Sequence, residues 1–281
     1  MPVPIPKNET RTFERIKEHY LIEKELAARL RSSSKDERRR LYTTVYDELF
    51  RRVPDHPQLD ARRDAQRRGR EVLERLKLLD NYLYPDSTFL EIGPGDCALA
   101  IAVARRVRHV FAIDVSREIT SEGLLLKNLE LIISDGSSLP VPTGSVDIAY
   151  SDQLMEHLHP EDATEQLTNI YRTLSPGGVY LCITPNRWSG PHDVSRYFDE
   201  EATGFHLHEY TVSELVHMFN EAGFRKLRVL IGGRGLHVSV PVALVKSIET
   251  LLARLPAQFG RTLARRLPLR LILGAKLVAQ K

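Results

Sequence analysis

At 281 residues, 42% apolar and 27% charged, the chain is long for one compact domain and short for two, so one core with appendages is the expected organisation. A formal net charge of +3 excludes a general nucleic-acid coat while leaving local basic patches open, and no run approaches the ~18 uninterrupted apolar residues of a membrane span. Two cysteines, Cys97 and Cys182, exclude a disulfide framework or a zinc cluster and suit reduced, buried thiols.

The proline-punctuated start, Met1 to Lys7, has no long apolar core and does not read as a secretory signal. Residues 1–86 read as a helical cap or lid. Phe13, Ile16, Tyr20, Leu26 and Leu30 fall on one helical face, with Asn8 or Thr10 available as N-cap. Ser34-Lys-Asp-Glu37 has capping-box spacing and opens a second helix carrying Leu41, Val45 and Leu49, which Pro54 and Pro57 end. A third helix is expected from about Leu59 to Leu83, with Val72, Leu73, Leu76, Leu79 and Leu83 inward. Arg62, Arg63, Arg67, Arg68 and Arg70 cluster at its start, interleaved with Asp60, Asp64, Glu71 and Glu74 at helical pairing distance. That reads as a solvated face, with a contact for a phosphate-bearing substrate as the sharper alternative.

The stretch Phe89-Leu-Glu-Ile-Gly-Pro-Gly-Asp-Cys97 organises the rest of the chain. An apolar strand runs into two glycines, and Ala98 to Val107 reads as a helix whose N-terminus offers free N–H groups to a nucleotide-like ligand. Gly93-x-Gly95-x-x-Ala98 also fits a dinucleotide fingerprint, with Asp114 about 20 residues on. Glu91 argues the other way. A carboxylate two residues before the first glycine would oppose pyrophosphate and suits a ligand bearing an ammonium and a sulfonium. Strand and helix then alternate: His109 to Ile113, Leu129 to Ile133, Ser145 to Tyr150, and Val179 to Thr184 after the turn Ser175-Pro-Gly-Gly178. Acids end these strands, where open α/β sheets bind ligands.

These residues resemble the class I S-adenosylmethionine-dependent methyltransferases over roughly Thr88 to Phe224. Tyr150-Ser-Asp-Gln-Leu-Met-Glu-His-Leu158 and Leu174-Ser-Pro-Gly-Gly178 resemble later motifs of the small-molecule, type 11-like branch. The resemblance implies an α/β, Rossmann-like sheet of seven strands in the order 3-2-1-4-5-7-6, spanning residues 87–281. S-adenosylmethionine is the implied cofactor. Its amino-acid end falls to Glu91, Gly93 and Gly95, its ribose to Asp114 and its adenine to Asp135; Gly136 and Asp152 complete the candidate set.

Methyl transfer needs alignment of an acceptor with the methyl group, and a base only where the acceptor must lose a proton. Glu156 and His157 are the catalytic candidates. With His206, they resemble the metal-binding cluster of ubiquinone-pathway O-methyltransferases and of the enzymes that methylate small-RNA 3′ ends. Gln153 stands where that cluster's first glutamate would be, and an amide is a poorer ligand for a hard cation. A divalent metal at Glu156, His157 and His206 is therefore allowed but not favoured. The long loop from Pro185 to Glu209 is expected to bring Arg187, Trp188, Arg196, Tyr197 and His206 to the acceptor, with Trp188 as a packing anchor in the alternative. Thr211-Val-Ser-Glu214 opens another helix, ended by Gly223.

Leu227 to Ile231 reads as strand six and Leu271 to Ala279 as strand seven. Between them, residues 232–270 form a basic amphipathic helical insertion, with Val245, Ile248, Leu252 and Leu255 as the apolar stripe. Lys246, Arg254, Arg261, Arg265, Arg266 and Arg270 oppose one acid, Glu249. Two explanations are open: peripheral contact with an anionic membrane through 242–270, or helices packing on the sheet or on another copy. The reading is an S-adenosylmethionine-dependent methyltransferase of a small-molecule or lipid- or glycan-linked hydroxyl acceptor. It is expected in the cytoplasm, with contact on the inner membrane face. An RNA methyltransferase and an NAD-dependent oxidoreductase are the alternatives. Nucleic acid is disfavoured because the basic residues lack interleaved aromatic partners.

Overall fold

The computed structural model describes residues 3–6, 9–59, 64–116, 126–233 and 235–281. Asn8, Asp60, Arg62 and Arg63, singled out in the sequence, lie outside them.

Two N-terminal helices, α1 (Phe13–Ser32) and α2 (Lys35–Arg52), are fixed at their starts by local chemistry. The Thr12 side chain caps α1 by accepting from the Arg15 N–H, and Ser34 with Glu37 closes the expected capping box on α2. Ile16, Tyr20, Leu26 and Leu30 are buried as the spacing requires, whereas Phe13 is exposed. The third helix, α3 (Ala65–Leu79), is shorter than expected at both ends. Asp64 caps it, and Asp80-Asn81, which favour turns over helix interiors, close it.

The sheet is built from β1 (Thr88–Ile92), β2 (His109–Asp114), β3 (Leu129–Ile133), β4 (Val146–Asp152) and β5 (Leu174–Thr184), with α4 (Ala98–Ala104) and α5 (Pro160–Thr173) in the crossovers. After α6 (Val212–Ala222) come β6 (Lys226–Gly233), β7 (Leu236–Pro241), α7 (Val242–Ala253), α8 (Ala257–Ala264), α9 (Leu269–Ile272) and β8 (Ala275–Gln280). The strand order is β3-β2-β1-β4-β5-β8-β6-β7. The expected topology is thus present with β8 as its last strand, and it is extended by one edge strand that the pattern reading took into the helical insertion. Gly232 makes that strand possible. Its backbone has φ +121°, and a Cβ there would lie 2.2 Å from the Leu236 carbonyl oxygen, so only glycine admits so tight a return. The final strand begins at Ala275 rather than Leu271, because Leu269–Ile272 winds into a helical turn behind Pro268.

β1 is buried on both faces, as a central parallel strand should be. Leu90 and Ile92 belong to one core cluster with Val45 and Leu49 of α2, Leu167 of α5 and Phe219 of α6, while Phe89 belongs to another with Leu79 of α3 and Val103 of α4. The helices of the 1–86 segment therefore share their cores with the sheet. A buried ion pair adds to this. Arg38 of α2 donates from Nε to Asp162 Oδ2 at 2.6 Å and from an Nη to Oδ1 at 3.0 Å, and Tyr42 donates to the same carboxylate at 2.9 Å.

Candidate active site

Parallel register sets three acids at adjacent strand ends: Glu91 lies beside Ala112, Asp114 beside Ile133, and Asp135 two residues beyond. Between the first two, Gly93 and Gly95 take positive φ values of 70° and 57°. A Cβ at Gly93 would sit 3.0 Å from Leu154, whereas one at Gly95 would meet nothing within 4 Å, so the turn is open on its Gly95 side. Asp114 accepts from Gly95 N at 3.2 Å and from Val115 N at 2.7 Å. Asp135 accepts from Ser138 N and Ser138 Oγ, both at 2.8 Å. Burial alone would raise its pKa, but these bonds and Arg39 hold it below the ordinary value. Gly136 packs under the Tyr42 ring of α2. Asp152 accepts from Arg75 Nε of α3 at 2.8 Å.

Glu91 differs from the other acids. It is 5% exposed and its Oε2 has no hydrogen-bond partner among the described residues. Burial drives its pKa up to about 8; Arg75 opposes this, and the nearby Asp152 and Asp96 add to it. A buried carboxyl with one oxygen lacking a partner among the described residues, four residues before an open glycine turn, is ready for a cationic group.

One turn further on, Met155–His157 forms a short 3₁₀ segment behind Leu154. Glu156 is wholly buried; Oε2 accepts from Thr184 Oγ1 at 2.8 Å and Oε1 has no partner among the described residues. His157 Nδ1 lies 3.0 Å from the Phe205 carbonyl oxygen, which can only accept, so the ring is protonated at Nδ1 and its Nε2 lone pair points elsewhere. His206 Nδ1 donates in the same way to Glu209 Oε1 at 2.7 Å. One ligand atom from each of Glu156, His157 and His206 lies within 4.8 Å of the others. Burial and the charge of His206 lower the His157 pKa to about 3, and burial raises that of Glu156 to about 7. For His206, burial is outweighed by Glu209, Glu156 and Asp193, which bring it to about 9. Tyr46 of α2 roofs the cluster, stacking on Phe205 at 5.2 Å and meeting His157 edge-on at 6.1 Å.

Residues 90–182, from β1 into β5 and including every candidate cofactor residue, match the methyltransferase domain family. The chain carries a class I S-adenosylmethionine-dependent methyltransferase domain. A probable S-adenosylmethionine-dependent methyltransferase of Mycolicibacterium smegmatis is 33% identical over 137 residues, 48% of this chain and 51% of that protein. The chain thus spans about half the length of that relative. Among solved structures, phosphoethanolamine N-methyltransferase 1 of Haemonchus contortus, in complex with phosphoethanolamine and S-adenosylhomocysteine, aligns with a TM-score of 0.54 at 17% identity, over 79% of this chain and 57% of its own. A putative methyltransferase of Haloferax volcanii, in complex with the Trm112 activator, aligns with a TM-score of 0.52 at 18% identity, over 80% and 95%. Both are likenesses of fold. The family's cofactor fits what this chain presents, since Glu91 Oε2 has no partner among the described residues and the glycine turn that follows β1 is open at Gly95.

The loop residues expected at the acceptor part company. Arg187 pairs with Glu214 at 2.8 Å on the α6 terminus, and Trp188 packs on Gly260 of α8. Arg196 and Tyr197 line a cavity of about 570 Å³ with Arg11, Asp55 and Arg67. Only His206 joins Glu156 and His157. Arg67 and Arg68 of the basic cluster pair with Glu71 and Asp96, at 2.8 and 3.6 Å.

Pattern reading missed Arg38, Glu209, and a second buried group, His19, Glu23 and His56. Arg38 left a trace, because it continues the buried stripe of Tyr42, Val45 and Leu49 one turn back, where an apolar residue belongs. Glu209 stands three residues after His206 in the same loop, a spacing that brings the two side chains together here. His19 and Glu23 also lie on one helical face, but nothing in the pattern joins them to His56, some 33 residues away.

Proposed function

We propose that the domain methylates a hydroxyl of a small-molecule or a lipid- or glycan-linked acceptor held against Glu156, His157 and His206. The observation that carries this reading is the buried Glu156 Oε1 without a partner among the described residues, on a side chain grouped within 4.8 Å with two imidazoles whose Nδ1 atoms are already tied down. Bound S-adenosylmethionine supplies the electrophilic methyl. On the chain's side, Glu91 receives the ammonium, Asp114 the ribose hydroxyls, and Asp135 with Gly136 the adenine edge. Glu156 accepts the acceptor's proton as its oxygen forms the new bond to carbon and the carbon–sulfur bond breaks; its pKa of about 7 suits that task at neutral pH. His157, too weak a base, orients the hydroxyl through Nε2.

The same donor set favours a second reading, a divalent cation held by Glu156 Oε1 and the two Nε2 atoms. A metal-binding histidine typically donates its other ring N–H to a carbonyl or carboxylate, and both rings do so here. The amide that counted against a metal is no ligand in this arrangement, because Gln153 is exposed, on backbone at φ +56°. Such a cation would lower the acceptor hydroxyl's pKa. Calorimetry separates the possibilities. The methyltransferase reading expects S-adenosylhomocysteine to bind and NAD not to, and NAD binding alone would overturn it. The metal reading expects Mn²⁺ or Zn²⁺ to bind the chelator-treated protein and raise its unfolding temperature, both effects vanishing in His206→Ala.

A further inference from the structure

Seven of the eleven large apolar side chains exposed among the described residues lie between Leu236 and Leu271, about an eighth of the chain. Scattered exposed leucines need no explanation, but such a concentration marks a contact surface. Leu244 and Leu251, seven residues apart on α7, are 49% and 60% exposed, while Val245, Glu249 and Leu252 form its inward face. α8 turns Gly260 and Ala264 inward and leaves Phe259 55% exposed; Leu267 and Leu271 follow at 71% and 50%.

Exposed charge within this segment has one sign. Glu249 is the sole acid from Leu236 to Leu273, and it is buried, accepting from Val212 N at 2.8 Å, Ser213 N at 2.9 Å and Ser213 Oγ at 2.6 Å at the start of α6. Arg261 is turned back to Glu201, and Arg265 to the Gly190 carbonyl. Lys246, Arg254, Arg266 and Arg270 stay exposed, with no carboxylate of their own segment beside them. On α1, by contrast, surface arginines meet acids, as in Arg15 with Asp55 at 2.7 Å and Arg29 with Glu48 at 3.0 Å.

We infer that the outer face of α7, α8 and α9 docks on an anionic lipid bilayer, the leucines and Phe259 entering the headgroup boundary while the four cations meet lipid phosphates. Exposed apolar side chains flanked by Lys and Arg, with no exposed acid in the segment itself, are the make-up of an interfacial surface. A second copy of the chain fits less well, because a two-fold contact through this face would set cations against cations. No helix among the described residues is long and apolar enough to cross a membrane, so contact through this face is peripheral. This inference does not depend on the acceptor or on the metal.

The test is flotation of the full chain with phosphatidylcholine vesicles, with and without phosphatidylglycerol, at low salt. Binding is expected only with the anionic lipid. Replacing Arg254, Arg266 and Arg270 with Ser removes three cations at about fivefold each and should weaken partitioning on the order of a hundredfold. Leu251→Asp with Phe259→Asp should abolish co-flotation. The altered residues are exposed, so unchanged circular dichroism and S-adenosylhomocysteine binding serve as the folding control for both variants. Absence of the wild type from anionic vesicles, equal binding to neutral ones, or a dimer in light scattering that Leu251→Asp dissociates would each overturn the inference.

Discussion

Replacing Glu91 with Gln should stabilise the protein and weaken its hold on cofactor, and both effects should depend on pH. An acid whose pKa is higher folded than unfolded binds protons more tightly in the folded state. Its contribution to stability is complete below the unfolded value and is lost as pH rises through the folded one. With Glu91 raised from 4.5 to about 8, the loss reaches about 3 kcal/mol by pH 7, from 2.5 units at 1.36 kcal/mol each. Glutamine carries no such dependence. Urea unfolding of both proteins at pH 5 and pH 7 should therefore show the variant gaining on wild type by roughly 2 to 3 kcal/mol between the two values. Comparing pH values cancels whatever the new amide costs at both. Binding should run the other way, because a ligand ammonium is served by the carboxylate alone. Wild-type affinity for S-adenosylhomocysteine should be about fiftyfold weaker at pH 6 than at pH 8, with a proton released on binding, and the variant should be weak and flat. A wild type whose affinity ignores pH, or a variant that binds equally well, would remove Glu91 from the cofactor site.

Three further outcomes rest on the same contacts. Arg38→Ala strands the Asp162 carboxylate in the core and should cost about 3 to 5 kcal/mol in urea unfolding, whereas Arg38→Met with Asp162→Leu should recover much of it; equal losses would discredit the pair as the cause. Glu209 is held at about pKa 2, burial opposing this and the bonds from His192 and His206 prevailing, so its contribution to stability is present above 4.5 and fades as pH falls toward 2. Glu209→Gln should lower turnover by about 10- to 100-fold while leaving S-adenosylhomocysteine affinity unchanged, and unaltered turnover would count against His206 in the site. Gly93→Ala meets Leu154 and strained backbone together, while Gly95→Ala meets strain alone, so thermal unfolding should show the first to be the more damaging. The reverse order would fault the assigned packing of Leu154.

What was legible in the sequence was whatever local chemistry decides. The capping boxes at Ser34 and Thr211, the Gly93-Gly95 turn and the acids ending β2 and β3 each announce themselves within a few residues, and the strand order follows from the resemblance they carry. The hairpin strand β7 was hidden because Leu236 to Pro241 borders a helix-forming run, and its pairing with β6 hangs on the tolerance of Gly232 for a close carbonyl. The loop after β5 was misread as one surface. A loop's residues are sorted by what each packs on, and Trp188, Arg187 and Arg196 find three different partners.

The two buried His-Glu-His groups show why composition cannot identify a site. In the first-helix group, Arg11 donates to His19 Nδ1 at 2.9 Å and Gln58 N to His56 Nδ1 at 3.2 Å, which puts the ring protons on both Nε2 atoms. These face Glu23 Oε1 at 2.7 and 3.5 Å, and Glu23 Oε2 accepts from Phe205 N at 3.2 Å. Every polar atom turned toward that group's centre is spent, so its work is to hold α1 against the loop. Around Glu156 the outer nitrogens donate instead, and the centre is left with the His157 lone pair, the His206 Nε2 and a carboxylate oxygen lacking a partner among the described residues. The Phe205 peptide joins the two, giving its N–H to Glu23 and its carbonyl to His157. The N-terminal helices thereby set which ring atom His157 offers, although they lie outside the segment that matches the methyltransferase family. A relative sharing that segment but differing at His19, Glu23 or His56 would keep the cofactor turn and lose this control over the ring that meets the acceptor.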